Sequence, residues 1–507
     1  MVYRVKDIIE SNLQHSRLID YNEDLLDAKN KVIDAIRGNK ISLVQGPPGT
    51  GKTTVFEQSI NDFFDNITND MVLLYIAPTN QLVADMLKRI ASIYYNKGKQ
   101  KEDIKKELRI YGSQFDYNTY ENLAGTIDKE VKIILTTPYQ RPYFRNIKNV
   151  CILIDEASKS PLHQPFITMT NSLIAKVGRS ELQSISIIGD PKQAISLDSS
   201  YKGKGKDLLI MNTLIKGLLH EKGITVNDND DLTKRARESL SDEFRFLSTT
   251  YRMPYPTEEP ISVAYYDRLL KAKDSVDKRV EGLWDTNKAS ELYNINKNFE
   301  YAIGILENTL TTSRGMIYVE VKDSYSDNSE GFNYATERGI VGVYLATCLS
   351  TITNKRTAVI TAYTDQWQQM KLYFQKHIYP LINSINPKIK EQISFSTIDK
   401  QIGSEEDIVI CILGKEYSTE DSPTRYYQEP ELLNVQLTRH KRVLCVIGDL
   451  SKLRNKANEL NSRKRTTKYK ELAITAEEIL KLAGFEILGR RAHHAHNSAD
   501  CVYYKWK

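Results

Sequence analysis

Short apolar, β-branched runs recur along the chain in two sets, each run separated from the next by stretches with helical spacing. The first set is Ile41–Gln45, Val72–Ala77, Val131–Thr136, Cys151–Ile154 and Ser184–Gly189. The second is Met316–Val321, Thr357–Ala362, Ile393–Thr397, Ile408–Leu413 and Val443–Gly448. A strand that is apolar on both faces has to be covered on both faces, which is the condition of a parallel sheet flanked by helices. Two such sets predict an α/β fold of two tandem domains. The length of 507 residues agrees, since single hydrophobic cores stop growing near roughly 250–300 residues.

The boundary is expected near Phe246–Met253, with a first domain over 1–245, a second over 246–450 and a basic C-terminal extension over 451–507. Lys/Asp/Asn-rich stretches at about 91–130, about 196–240 and about 271–313 break the strand rhythm and are expected as insertions. The formal charge of +5 is a mild excess, compatible with a polyanionic partner without requiring one. Five cysteines, Cys151, Cys348, Cys411, Cys445 and Cys501, stand singly. That spacing argues against a disulfide framework and against a cysteine-rich zinc module. No run approaches the roughly 18 apolar residues that span a bilayer, and no signal-peptide core opens the chain. A soluble, cytoplasmic protein with no membrane partner is the expectation.

Gly46, Pro47, Pro48, Gly49, Thr50, Gly51, Lys52 and Thr53 follow the first run and open a helix that continues through Thr54. Glycines let backbone N–H groups turn inward around phosphate oxygens, and the helix N-terminus adds partial positive charge. Lys52 is expected on the β- and γ-phosphates of ATP, and Thr53 on Mg²⁺. Thr54 is counted with the phosphate-binding residues. The run Ile152-Leu153-Ile154 ends in Asp155 and Glu156. Asp155 suits the Mg²⁺ shell, and Glu156 suits a base that orients and deprotonates the attacking water.

Further segments occur in order: Gly189-Asp190-Pro191-Lys192-Gln193, Thr250-Tyr251-Arg252-Met253, Ile398 to Glu405, and Asn434-Val435-Gln436-Leu437-Thr438-Arg439. Together with the phosphate loop and Asp155-Glu156-Ala157-Ser158, this set resembles the Upf-like branch of superfamily 1 helicases over roughly residues 40–450. The resemblance implies two tandem RecA-like P-loop NTPase domains with ATP between them. It implies a γ-phosphate sensor at Gln193, cleft-crossing arginines at Arg252 and Arg439, a base-stacking Tyr251 and a ribose contact at Glu405. A guanidinium suits such a role because charge builds on the transferred phosphoryl group.

Departures from the family pattern bear on coupling and on base choice. Ile402 stands where the family has Gln, with Gln401 shifted by one, and Thr250 replaces a frequent Gln. No adenine-reading Gln motif precedes the phosphate loop; Ala28 falls near its place. Relaxed base specificity is therefore expected, and ATP hydrolysis about tenfold faster than that of GTP, CTP and UTP would refute it. About 40 residues precede Gly46, too few for the β-barrel that Upf proteins carry there.

A motor grips a backbone without reading its sequence. Pro78, Thr79 and Asn80, Thr137 and Pro138, Tyr363 and Gln366, and Thr397 all follow or end strands, where hydroxyls and backbone N–H groups can meet phosphates. Tyr139, Tyr143, Tyr265 and Tyr266 are candidates for base stacking, although most tyrosines in such a chain are core aromatics. The basic run 452–470 is expected as a solvated helix face rather than a phosphate track. His493, His494 and His496 with Cys501 do not match zinc spacing and are expected as a surface tail. The implied partners are single-stranded RNA or DNA and tailed duplexes, with 5′-to-3′ travel by family analogy. A monomer is expected, and protein partners are unknown. The alternative reading is a nucleotide-gated clamp that remodels ribonucleoprotein without separating strands. No acid–acid–lysine cluster supports a nuclease.

Overall fold

The computed structural model describes residues 2–10, 22–38, 40–68, 70–117, 123–124, 130–140, 142, 148–159, 181–193, 209–227, 230–311, 315–321, 334–401, 404–415, 424–483, 487–488 and 491–492. The chain divides into two units, Met1–Ser248 and Thr249–Lys507.

The first unit is built on a seven-stranded sheet. In chain order its strands are β1 (Ile41–Gln45), β2 (Met71–Ile76), β3 (Leu108–Tyr111), β4 (Ile133–Thr136), β5 (Asn149–Ile154), β6 (Glu181–Gly189) and β7 (Phe244–Phe246). Their spatial order is β3-β4-β2-β5-β6-β1-β7, and every pairing is parallel. All strand C-termini therefore emerge on one edge, and loops after separate strands converge there. Helices α1 (Glu23–Gly38), α2 (Lys52–Phe63), α3 (Asn80–Asn96) and α4 (Ile210–Glu221) cover the sheet. Leu43, Val72, Leu74, Ile76, Ile152 and Ile187 are buried under them, as continuous apolar strands require.

The second unit has a five-stranded parallel sheet. Its strands are β8 (Met316–Glu320), β9 (Thr357–Thr361), β10 (Ile393–Thr397), β11 (Glu406–Ile412) and β12 (His440–Gly448), in the order β8-β12-β11-β9-β10. Helix α5 (Thr336–Thr353), buried along nearly all of its length beyond the first turn, runs through its core, with Val341, Leu345 and Leu349 inaccessible to solvent.

Every run picked out by its apolar character is a strand, but the stretches expected as insertions are partly structural. Within 91–130, Leu108–Tyr111 is the edge strand β3 and pairs with β4. Within 196–240, α4 buries Ile210, Met211, Ile215 and Leu219 in the core of its unit. Within 271–313, Val276, Val280, Leu292, Phe299 and Leu306 join the core of the second unit. These apolar faces are short and sit among charged and polar neighbours, so mean composition hides them. Residues 118–122, 125–129, 196–208, 228–229 and 312–313 of these stretches lie outside the described residues.

The basic run forms an amphipathic helix, Leu450–Lys464, with Leu453, Ala457 and Leu460 inward and Lys452, Arg463 and Lys464 exposed. Arg454 departs from that pattern: it is 5% exposed. Among the described residues, no helix is long and apolar enough to cross a membrane.

Candidate active site

In the first unit β6 lies between β1 and β5, in register Gln45↔Gly189 and Ile154↔Ile187. The phosphate loop, Asp190–Gln193 and Asp155–Glu156 thus leave three adjacent strands on one edge. The Gly46 N–H donates to the Gly189 carbonyl at 2.9 Å and ties the loop to its neighbour. A Cβ at Gly46 would lie 2.2 Å from Lys52 Cγ, so only glycine lets that lysine fold back over the loop. Gly51 enters α2 at φ +88°, and no side chain caps the helix. Its first N–H groups are therefore directed at whatever anion the loop encloses. The Thr50 hydroxyl closes the turn on the Pro47 carbonyl at 2.8 Å.

Lys52 Nζ donates to the Gly46 carbonyl at 2.9 Å and lies 3.6 Å from Glu156 Oε1. The Thr53 hydroxyl donates to Asp155 Oδ2 at 3.1 Å, and the Tyr75 hydroxyl donates to the same oxygen at 2.9 Å. The Glu156 N–H donates to Asp155 Oδ1 at 2.8 Å. Burial, followed by the neighbouring Glu156 charge, raises the pKa of Asp155. A hydroxyl and a buried carboxylate form a hard oxygen pair that suits Mg²⁺, and a divalent cation there would favour the ionised carboxylate. Glu156 has φ +48°, an unfavourable conformation for a residue with a Cβ and one that clusters at functional sites. Gln193 is buried, and its amide donates to Asp190 Oδ2 at 2.7 Å; Gln45 donates to Asp190 Oδ1 at 3.2 Å. The structure thus brings Lys52, Thr53, Asp155, Glu156 and Gln193 to one edge of one sheet.

In the second unit Arg252, Glu405 and Arg439 also come together. Arg252 Nε donates to Glu405 Oε2 at 2.9 Å, and its Nη1 donates to the Thr438 carbonyl at 3.1 Å, one residue before Arg439. Lys441 holds the other Glu405 oxygen at 2.7 Å. Partial burial opposes ionisation of Glu405, but the Arg252 and Lys441 charges outweigh it and hold the carboxyl down at about 2. Arg439 is buried, with Nε donating to the Val435 carbonyl at 2.8 Å. Next to it, burial above all, with the nearby Arg252 and Arg279 charges, pushes His440 down to about 3, so this ring is neutral. Its Nε2 lies 2.7 Å from the Thr257 hydroxyl. Tyr251 is half-buried, and its carbonyl accepts from Arg279 Nη2 at 2.7 Å.

The residues expected on a nucleic-acid backbone are distributed over the C-terminal edges of their own sheets. Pro78–Asn80 follow β2, Thr137 and Pro138 follow β4, Tyr363 follows β9, and Thr397 ends β10. Thr79 caps α3, its hydroxyl accepting from Leu82 N–H at 3.3 Å. Asn80 carries a buried Oδ1 with no hydrogen-bond partner among the described residues. Thr137 and Thr397 are largely buried.

Gln366 is corrected. It is inaccessible to solvent, and its amide accepts from Ala335 N–H at 2.7 Å and donates to the Ala335 carbonyl at 3.2 Å. It thereby pins the residue that precedes α5 and is closed off from any strand. Of the tyrosines considered for stacking, Tyr139 is 62% exposed, whereas Tyr265 and Tyr266 are core residues. Tyr143, Ile402, Gly403 and the His493, His494, His496 and Cys501 tail lie outside the described residues.

Sequence reading missed Tyr75, Arg279 and Arg425. Arg425 donates to both Asp399 oxygens at 3.0 Å and to the Ala362 carbonyl at 2.8 Å. It so joins the loops that follow β9 and β10. Lys400 stands 4.9 Å over the ring of Trp367, in the helix Thr364–Tyr373 that follows β9, and so ties the segment after β10 to that helix. Tyr75 left a detectable signal: a tyrosine in an otherwise aliphatic strand needs a partner for its hydroxyl.

A family model described as DEAD/DEAH box helicase matches residues 27–176, and one described as AAA domain matches 229–451. The chain is 25% identical over 324 residues to helicase sen1 of Schizosaccharomyces pombe, covering 62% of this chain and 18% of that protein. It is 23% identical over 453 residues to the DNA polymerase alpha-associated DNA helicase A of the same yeast, covering 85% and 64%. It is 21% identical over 475 residues to regulator of nonsense transcripts 1 of Dictyostelium discoideum, covering 87% and 32%. The chain thus spans less than two thirds of the length of each of these relatives.

A phosphate loop, an acidic pair and a glutamine-bearing loop on one parallel sheet, followed by a second parallel sheet, define tandem RecA-like P-loop NTPase domains. With the ordered segments from Gly189 to Arg439, these matches make the chain similar to superfamily 1 helicases of the Upf-like branch.

Proposed function

We propose that the chain is an ATP-driven helicase that translocates 5′-to-3′ on single-stranded RNA or DNA. The observation that carries this reading is the convergence of Lys52, Thr53, Asp155, Glu156 and Gln193 on one sheet edge. The loop from Gly46 to Thr54 binds the triphosphate, with Lys52 exchanging the Gly46 carbonyl and Glu156 for phosphate oxygens. Thr53 and Asp155 would hold Mg²⁺, which would supply charge neutralisation for the transferred phosphoryl group. Tyr75 orients Asp155 from the adjacent strand.

Glu156 orients the attacking water and takes its proton. Arg252 and Arg439, carried by the second domain, exchange their resting partners for the transferred phosphoryl group and stabilise its growing charge. Tyr251 stacks on the base and Glu405 meets the ribose. Gln193, held by Asp190, senses the γ-phosphate. Pro78, Thr79, Asn80, Thr137, Pro138, Tyr363 and Thr397 provide the sequence-independent grip.

The test is ATP hydrolysis and strand release on matched RNA and DNA duplexes bearing 5′ or 3′ overhangs. Hydrolysis stimulated by single strands, with release of 5′-tailed duplexes, is the expected result. Release from 3′ tails alone would reverse the direction. Stimulated hydrolysis with no release from either would replace the motor by a nucleotide-gated clamp.

A further inference from the structure

Arg279 lies in the short helix Val276–Val280, inside a stretch that composition marked as an insertion. Val276 and Val280 anchor that helix in the core of the second unit. The guanidinium of Arg279 is spent on three backbone carbonyls and one carboxylate. Its Nη1 donates to the Arg252 carbonyl and, at 2.9 Å, to the Lys441 carbonyl. Its Nη2 donates to the Tyr251 carbonyl at 2.7 Å and to Asp274 Oδ2 at 2.8 Å. Two of these carbonyls belong to the segment that carries Arg252. The third lies two residues beyond Arg439. On the other side, Arg442 donates to the Arg279 carbonyl and, through Nε, to Asp407 at 2.8 Å.

We infer that Arg279 is a positioning residue that sets the spacing between the backbone segments bearing Arg252 and Arg439. This rests on the reading that those two arginines act on the transferred phosphoryl group. Arg252 also bridges the segments, through Thr438 and Glu405, but with the very nitrogens that a phosphoryl group would claim. That bridge is given up when Arg252 works. The bonds of Arg279 use none of those atoms and persist through the cycle. A planar fork with donors in fixed directions can hold three carbonyls and one carboxylate together; the compact ammonium of lysine lacks that geometry.

The experiment measures steady-state ATP hydrolysis by Arg279→Ala and Arg279→Lys, alone and combined with Arg252→Ala, with thermal unfolding as a control for folding. Misplacement of a reacting group by about 1 Å costs on the order of 100-fold. Arg279→Ala is therefore expected to lower kcat by roughly 10–100-fold with KM for ATP within about twofold. In the Arg252→Ala background the combined loss should fall well short of the product of the separate losses, because the two residues serve one step.

A folded Arg279→Ala enzyme with unchanged kcat overturns the inference. So does a combined loss equal to the product, which is the signature of an independent structural role. Should the alanine variant fail to fold, Arg279→Lys decides: about a tenfold fall in kcat is expected, and parental kcat overturns the inference. If Arg252→Ala itself keeps full kcat, the proposed function fails instead, and that outcome is separately readable.

Discussion

Arg439→Ala is expected to slow ATP hydrolysis by about 10³–10⁵-fold, the range measured when a cleft-crossing arginine is supplied or removed. Nucleotide affinity should change little, because the proposed triphosphate site is the loop from Gly46 to Thr54 in the first domain. The side chain is buried, and its Nε occupies the Val435 carbonyl. Truncation also removes that hydrogen bond, although the Thr438 hydroxyl still donates to the same carbonyl at 3.4 Å, so a further loss of stability of about 0.5–1.5 kcal/mol is expected. Thermal unfolding therefore has to accompany the kinetics. Arg439→Lys separates the two effects, since it keeps the charge and loses the planar fork. Single-turnover hydrolysis and titration with a fluorescent ATP analogue are the measurements; a loss smaller than about tenfold for the folded alanine variant removes Arg439 from the mechanism.

Glu156→Gln is expected to cost about 10²–10⁴-fold in kcat, as for loss of a general base, while nucleotide still binds. The substitution keeps size and hydrogen-bonding shape and removes only the carboxylate. It also removes the charge 3.6 Å from Lys52, so that lysine loses a competitor for phosphate and affinity should hold or rise. The backbone at this position has φ +48°, and its N–H donates to the Asp155 carboxylate, a main-chain bond that glutamine retains. Undiminished turnover in the glutamine variant would reject Glu156 as the base.

Much of this architecture was readable from apolar runs because a parallel strand buried on both faces has no polar alternation to disguise it. The phosphate loop was legible for a different reason: Gly46 faces Lys52 and Gly51 sits at positive φ, so the geometry leaves few residue choices. Leu108–Tyr111 was missed because an edge strand of four residues within a charged stretch carries too little pattern. Gln366 misled for an opposite reason. A glutamine after a strand end looks like a ligand contact, but whether its amide faces outward or closes on Ala335 is a tertiary matter. Arg279 was invisible because three of its four partners are carbonyl oxygens, which every residue possesses and no sequence pattern marks.

The grip of Arg425 on Asp399 and on the Ala362 carbonyl has a mechanical consequence. One guanidinium, helped by Lys400 on Trp367, welds the ends of two neighbouring strands. A pull on either end is felt by its neighbour without slack, so a nucleic acid held there would be carried by both together or dropped by both.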